Sequence, residues 1–492
     1  MINIAFNPND LVTVLPELFL LGATCAILLI DLFLKQAQRN VTHVLSLLAL
    51  AVTAWLVWSG APVQATPAFN GMFVRDAVGT VLKLFILLTT ALVYVYGRLY
   101  MRDRKLFVGE LYLLLLFATL GMMLLVSAGS LVTVYLGLEL LTLSSYALVA
   151  LNRDSVMSSE AAIKYFVLGA LASGLLLYGM SMLYGATGTL DLAKIHAAAD
   201  FSANGAHRGL LAFGLVFLVV GIAFKLGAVP FHMWLPDVYQ GAPTAITLFI
   251  GTASKLAAFG MAWRLLEVAM GGLHAQWTMM LAILAAVSLA VGNVVAIAQT
   301  NLKRMLAYST ISHVGFVLLG FVNATPAGYA SAMFYMICYA IMTAVAFGVI
   351  LLLARAGFEA EEIADFKGLN QRNPWYAGVM AIAMFSLAGV PPLFGFFAKL
   401  MVLKAVIDAG QMWLAIVAIV FAIVGLFYYL NVVKVMYFDE PAQKEAVALP
   451  ADLGMRWALS LNGLALLALG IGWGPLLDWC NQALLASTQF AR

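Results

Sequence analysis

Charge is scarce in this chain. Only 10 % of its 492 residues are Asp, Glu, Lys or Arg, and 64 % are hydrophobic. The mean hydropathy of +0.99 excludes a soluble domain of this length, because too little polar surface remains to face water. Cysteine is scarcer still. Cys25, Cys338 and Cys480 stand far apart without CxxC spacing. They cannot hold an iron–sulfur cluster, which needs four ligands, and they form no disulfide framework. All three lie in or beside apolar runs, so three buried thiols are expected. No GxGxxG turn and no P-loop occurs, so no nucleotide site is legible. No block of Lys and Arg suggests nucleic acid, and the net charge of +3 says little. No pair of His or carboxylates has metal-ligand spacing on one helix.

What is abundant is apolar sequence in runs long enough to cross a bilayer as helices. The runs are continuous and do not alternate, which argues against a β-barrel. The expected fold is an all-α polytopic membrane protein with about 14 transmembrane helices. The spans fall near 11–34, 41–59, 74–97, 107–126, 129–150, 159–185, 208–229, 243–268, 277–299, 303–322, 328–354, 375–407, 411–437 and 456–475. The N-terminus lacks the positive region and small-residue cleavage site of a signal peptide, and reads as the first span.

Two spans are interrupted by proline. GAVPFHMWLPDVYQGAP (227–243) holds Pro230, Pro236 and Pro243, and AGVPPLFG (388–395) holds Pro391 and Pro392. Broken backbone at membrane depth is tolerated where protein or a water cavity surrounds it, and paired breaks in two halves point to an ion site. FKLGAVPFH and FSLAGVPPL also resemble each other, which suggests two repeats of about five helices, inverted relative to one another. The division expected is 1–106 for helices 1–3, 107–268 and 277–437 for the repeats, and 456–492 for the last helix and tail.

Basic residues in the connections segregate. Lys35, Arg39, Arg98, Arg102, Arg104, Lys105, Arg153, Lys303, Arg304, Arg355, Lys367, Arg372, Lys444 and Arg456 fall on one side; Lys194, Arg208, Arg264 and Arg492 fall on the other. The positive-inside rule makes the first side cytoplasmic and places both termini outside.

Against this background four charges are out of place. Glu139, Lys225, Lys255 and Lys399 each lie inside an apolar run. An ion at the bilayer centre costs about 2.5–3.5 kcal/mol on insertion scales, and such residues usually mark an ion or proton path. Glu139 is too far from either end to snorkel; the bland alternative is a protonated, locally bonded glutamate. Lys225 precedes the Pro230 break by one turn. Burial lowers a lysine's proton affinity and a nearby carboxylate raises it again, so a movable acid can load and unload it; the bland alternative is a static ion pair. Lys255 is flanked by the small residues Gly251, Ala253 and Ser254, and Lys399 follows the second break by about two turns. Lys404 lies nearer a span end and snorkels, and Lys83 and Arg75 read as structural or snorkelling. Lys164 can pair with Glu160 at i, i+4. His232 and His313 lie near the polar positions; each is either a satisfied core histidine or a water-linked bridge between lysines. Asp237 reads as loop-forming.

YLGLELLTLSSYALVAL, FKLGAVPFHMWLPDVYQGAPTAITLFIGTASK, NLKRMLAYSTISHVGF and LAGVPPLFGFFAKL resemble the antiporter-like membrane subunits of respiratory complex I. The resemblance runs from about residue 70 to 437, and PFHMWLPDVYQGAPT is its most specific part. Within the family, the chain lacks the lateral helix of subunit L and carries Lys399 where subunit M carries a glutamate. The resemblance implies that Glu139, Lys225, Lys255 and Lys399 form a proton relay along the membrane midplane, with Lys164 a further member. It implies a bacterial inner-membrane location and partners among the other membrane subunits, both antiporter-like paralogues and small ones. Quinone, flavin and iron–sulfur clusters then belong to partner subunits, with no cofactor in this chain. Two other readings share these features: a subunit of a multi-subunit cation/proton antiporter, and a purely structural membrane scaffold.

Overall fold

The structure is a computed structural model and describes residues 7–199, 208–441 and 452–491. Helices dominate it. The first three long helices are α1 (Leu15–Asp31), α2 (Asn40–Ser59) and α3 (Ala77–Asp103). A two-stranded antiparallel hairpin, Thr66–Ala68 with Phe73–Arg75, links α2 to α3. Asp76 caps α3 by accepting from the Gly79 amide at 2.8 Å, which satisfies one of the donors every helix start leaves open. Next come α4 (Gly109–Val126), α5 (Leu131–Val149) and α6 (Val156–Thr187), the last ending at Gly188 with φ +69°.

The first interrupted span is α7 (Arg208–Leu226) followed by the short α8 (Trp234–Gly241). The span after it is also interrupted, into α9 (Thr244–Gly251) and α10 (Ala253–Trp263), with a π-helical turn over Arg264–Ala269. Then follow α11 (His274–Ile297), α12 (Leu302–Val322) and α13 (Pro326–Leu353). The proline break separates α14 (Pro374–Ala388) from α15 (Phe394–Asp408), and α16 (Met412–Phe438), α17 (Leu453–Ile471) and α18 (Gly474–Ala491) complete the chain. A short helix, Pro8–Thr13, precedes α1, and short helices at Leu192–Ala198 and Leu369–Arg372 lie in connections.

Among the described residues 12 helices are long and apolar enough to cross a membrane, and every apolar run in the sequence has a helical counterpart. The Thr244–Ala269 and Pro326–Leu353 windows are wholly buried, the second as expected of a helix apolar on all sides, the first with Lys255, Arg264 and Glu267 buried in it. They form the centre around which the others stand.

Three local expectations need correction. The Thr244–Ala269 helix breaks at Thr252 (φ −119°, ψ −83°) without a proline. The last span is not one helix with a tail: α17 ends at Ile471, and α18 continues after Gly472 and Trp473. Cys25 is exposed, while Cys338 and Cys480 are buried.

Candidate functional site

Both proline breaks are built the same way. α7 ends at Leu226 and turns through Gly227 at φ +85°; α14 ends at Ala388 and turns through Gly389 at φ +87°. Glycine takes this left-handed conformation without a Cβ penalty. Each turn leaves helix carbonyls without an intrahelical partner, and a lysine, buried at the first break and half-buried at the second, answers one of them. The Lys255 amine donates to the Leu226 carbonyl at 2.6 Å, and the Lys399 amine donates to the Ala388 carbonyl at 2.8 Å. Each ammonium also lies 5.2 Å from an aromatic ring centre, Trp234 for Lys255 and Phe316 for Lys399, a favourable cation–π placement. In this structural sense Lys399 corresponds to Lys255, not to Lys225. The lysines also sit at the negative ends of α7 and α14, which favours the charged amine.

Lys225 is different. It is 5 % exposed, and its amine has no hydrogen-bond partner among the described residues. A buried ammonium without partners is costly. It lines a cavity of about 20 Å³ together with Thr142, Tyr146, Gly169, Ser173 and Trp234, and one water needs roughly 10–15 Å³. Ser173 donates to the Glu139 carboxylate. Glu139 does not form a direct ion pair with Lys225, although it is close enough to act on it through space. The cavity therefore connects the serine that holds the acid to the unpartnered amine. Trp234 closes the other side: it stacks on Tyr165 at 4.7 Å and 11°, bonds the Phe224 carbonyl at 3.0 Å, and presents its ring to Lys255. Lys225 and Lys255 also interact electrostatically.

His313 is 4 % exposed and fully partnered. Its Nδ1 is 2.8 Å from the Tyr335 hydroxyl and its Nε2 is 3.0 Å from the Tyr429 hydroxyl. Tyr429 also bonds Ser309, and Thr310 bonds the Tyr339 hydroxyl at 2.6 Å. Asn293 extends the network, donating to Ser312 at 2.8 Å and accepting from Tyr428 at 3.1 Å. Phe316, one turn beyond His313 on α12, is the ring that faces Lys399; His313 and Phe316 share a helix face. His313 thus stands next to Lys399, within electrostatic reach.

The structure gathers the remaining candidates unevenly. Lys164 lies nine positions before Ser173 on α6, about 13 Å along the helix. Its side chain, 42 % exposed, bridges Glu160 and Asp237, each at 2.8 Å. Asp237 is more than a loop former, since it also pairs with Arg304 at 2.7 Å. This cluster borders a cavity of about 170 Å³ at the start of α6, on the face that carries the basic connections. His232 is half-buried beside the first break, its Nδ1 without a hydrogen-bond partner among the described residues. Lys83 is buried in an ion pair with Glu17 at 2.6 Å, so of the two readings the sequence offered it is held in place and does not snorkel. Residue-by-residue reading missed Ser173, Trp234 and the tyrosines around His313. Trp234 was visible inside PFHMWLPD, and Gly169, Ala172 and Ser173 share one face of α6. The tyrosines carried no charge to draw notice.

The profile of the family described as NADH:quinone oxidoreductase/Mrp antiporter, TM, matches residues 128–425. A protein of Xanthomonas euvesicatoria pv. vesicatoria named NADH-quinone oxidoreductase subunit N is 57 % identical over 476 residues, covering 96 % of each chain. A chain in the structure of respiratory complex I from Thermus thermophilus with bound aureothin is 32 % identical, with a TM-score of 0.79 over 94 % of this chain and 98 % of that one. A chain of the Mrp complex from Dietzia is 22 % identical with a TM-score of 0.78, over 97 % of each chain, and shares the fold. With the broken helices and their lysines in place, this chain belongs to the antiporter-like family of NADH:quinone oxidoreductase and Mrp membrane subunits, among its subunit N members.

Proposed function

We propose that this chain is the proton-translocating subunit N of a bacterial NADH:quinone oxidoreductase, moving protons through buried side chains while partner subunits handle the electrons. One observation carries the mechanism: the unpartnered Lys225 amine faces a water-sized cavity whose wall includes Ser173, the residue bonded to Glu139. With water in the cavity, a charge change at Glu139 alters the proton affinity of Lys225, because a carboxylate at close range stabilises the ammonium. When Glu139 is drawn away, Lys225 releases its proton toward Lys255. The Lys255 amine holds the Leu226 carbonyl in the charged or neutral form, so it can lose a proton without opening the break. His313 and its tyrosines continue the polar line toward Lys399, which stands at the second break in the same geometry. Lys399 passes the proton outward. Lys164, with Asp237 and Arg304, lies at the inner mouth and attracts and orders water there.

The reading places the chain in the inner membrane with both termini outside, among antiporter-like paralogues and small membrane subunits. Quinone, flavin and iron–sulfur clusters belong to those partners. The second reading, a subunit of a cation/proton antiporter, draws on the shared fold of the Mrp chain. Purification of the tagged chain from its own membranes separates the two. The proposal expects flavin- and iron–sulfur-containing subunits and NADH:quinone activity to co-purify. Recovery with sodium/proton exchange and no NADH oxidation would refute it.

A further inference from the structure

The last span is broken level with the Pro391–Pro392 break. α17 starts on the basic face, where Trp375, at the head of α14, donates its indole N–H to Ser460 at 2.8 Å. Ten residues on, Gly470 backs directly onto the break: a Cβ there would meet the Pro392 carbonyl oxygen at 2.4 Å and the Phe394 amide nitrogen at 2.9 Å. Only glycine permits that approach of backbone to backbone. α17 then stops, Trp473 occupies the joint, and α18 continues from Gly474 to the opposite face, where Ser487 accepts from the Val78 amide at 3.4 Å. Trp473 stacks on Phe397 at 5.0 Å and 14°. Phe397 lies two residues before Lys399. On its other side the first turn of α15 is pinned by Ser386, which accepts from the Gly395 amide at 3.1 Å.

We propose that the Gly470–Trp473 joint positions Lys399: it fixes α15 along its axis so that the ammonium reaches the Ala388 carbonyl. Gly470 sets the closest approach of the C-terminal span, and the Trp473–Phe397 stack sets the rotation of the turn that carries Lys399. The proton leaving Lys399 does so from a position held by the C-terminal span, and Trp473 is a positioning residue. The inference rests on the reading of Lys399 as a relay member.

The test uses the assembled complex in sealed vesicles, with protons pumped per NADH oxidised followed across pH. Trp473→Leu is expected to lower that ratio by at least about twofold and to shift its pH profile. Trp473→Phe, which can restack, is expected to restore both. In a Lys399→Met background Trp473→Leu adds nothing further. Phe397→Leu, which removes the other half of the stack, gives the same phenotype independently if Trp473→Leu fails to assemble. A Trp473→Leu complex with wild-type ratio and profile, or a loss additive with Lys399→Met, overturns the inference. If Lys399→Met itself pumps normally, the relay role of Lys399 fails, and the positioning role falls with it.

Discussion

Gly169→Ala is the sharpest test of the cavity beside Lys225. A Cβ at Gly169 would lie 1.9 Å from the Tyr146 hydroxyl oxygen and 2.8 Å from its ring carbon Cζ. Tyr146 cannot stay where it is. It packs edge-on against Tyr165 at 4.6 Å and Phe166 at 5.7 Å, so those directions are closed. The direction left is the cavity of about 20 Å³ that both residues line. Since one water needs roughly 10–15 Å³, a small shift of the hydroxyl fills it. Overpacking costs about 1–3 kcal/mol, while alanine recovers up to about 1 kcal/mol of helix propensity over glycine. The net change is small enough for the complex to assemble. Without water between Ser173 and Lys225, proton transfer is expected to slow by about 10- to 100-fold, the scale of a displaced reacting group. The assay is protons pumped per NADH oxidised in vesicles, beside the content of assembled complex. Adding Tyr146→Phe removes the nearest clashing atom and is expected to restore part of the pumping. A Gly169→Ala complex that assembles and pumps at the wild-type ratio refutes the role of this cavity.

Lys255→Met and Lys399→Met each leave a helix-end carbonyl unpaired, at about 1–3 kcal/mol; thermal unfolding of the assembled complex should show both as less stable, with fewer protons pumped per NADH oxidised. If Lys255→Met is as stable as the parent, the carbonyl bond at 2.6 Å carries no stability. Tyr429→Phe removes a direct bond to His313 and should slow pumping more than Tyr428→Phe, which loses the bond to Asn293 and leaves the His313 bonds in place; equal effects would remove His313 from the path. Asp237→Asn weakens ion pairs whose side chains are 28 % and 42 % exposed, so stability should change by only about 0–1 kcal/mol. Pumping is expected to persist at a reduced rate, most visibly at high pH on the side that this cavity faces, where protons are scarce. Complete loss would place Asp237 on the path itself.

The architecture was legible because lipid solvent leaves so few solutions: apolar runs of spanning length become helices, and prolines mark two of the breaks. The other two breaks were not read, although Pro475 directly follows the second of them. Thr252 interrupts its helix between small residues that would equally suit close packing, and Gly472–Trp473–Gly474 ends a run that could have stopped there as a tail. The charged candidates announced themselves by their cost in an apolar run. Their partners did not, because a carbonyl that accepts from Lys255 or Lys399 is backbone and has no sequence signature. Ser173 and the tyrosines around His313 are ordinary in helices, and only packing shows that they converge. Asp237 was misread for a related reason: within a proline-rich break it fits a turn, and its partners Lys164 and Arg304 come from distant helices.

The central claim is that Lys225 carries a proton without a fixed partner. The most direct measurement is the ratio of protons pumped to NADH oxidised for Lys225→Ala, in a complex shown to contain every subunit and to reduce quinone. The account predicts that the ratio falls well below that of the parent while assembly is unchanged. An assembled Lys225→Ala complex that pumps at the full ratio would contradict it.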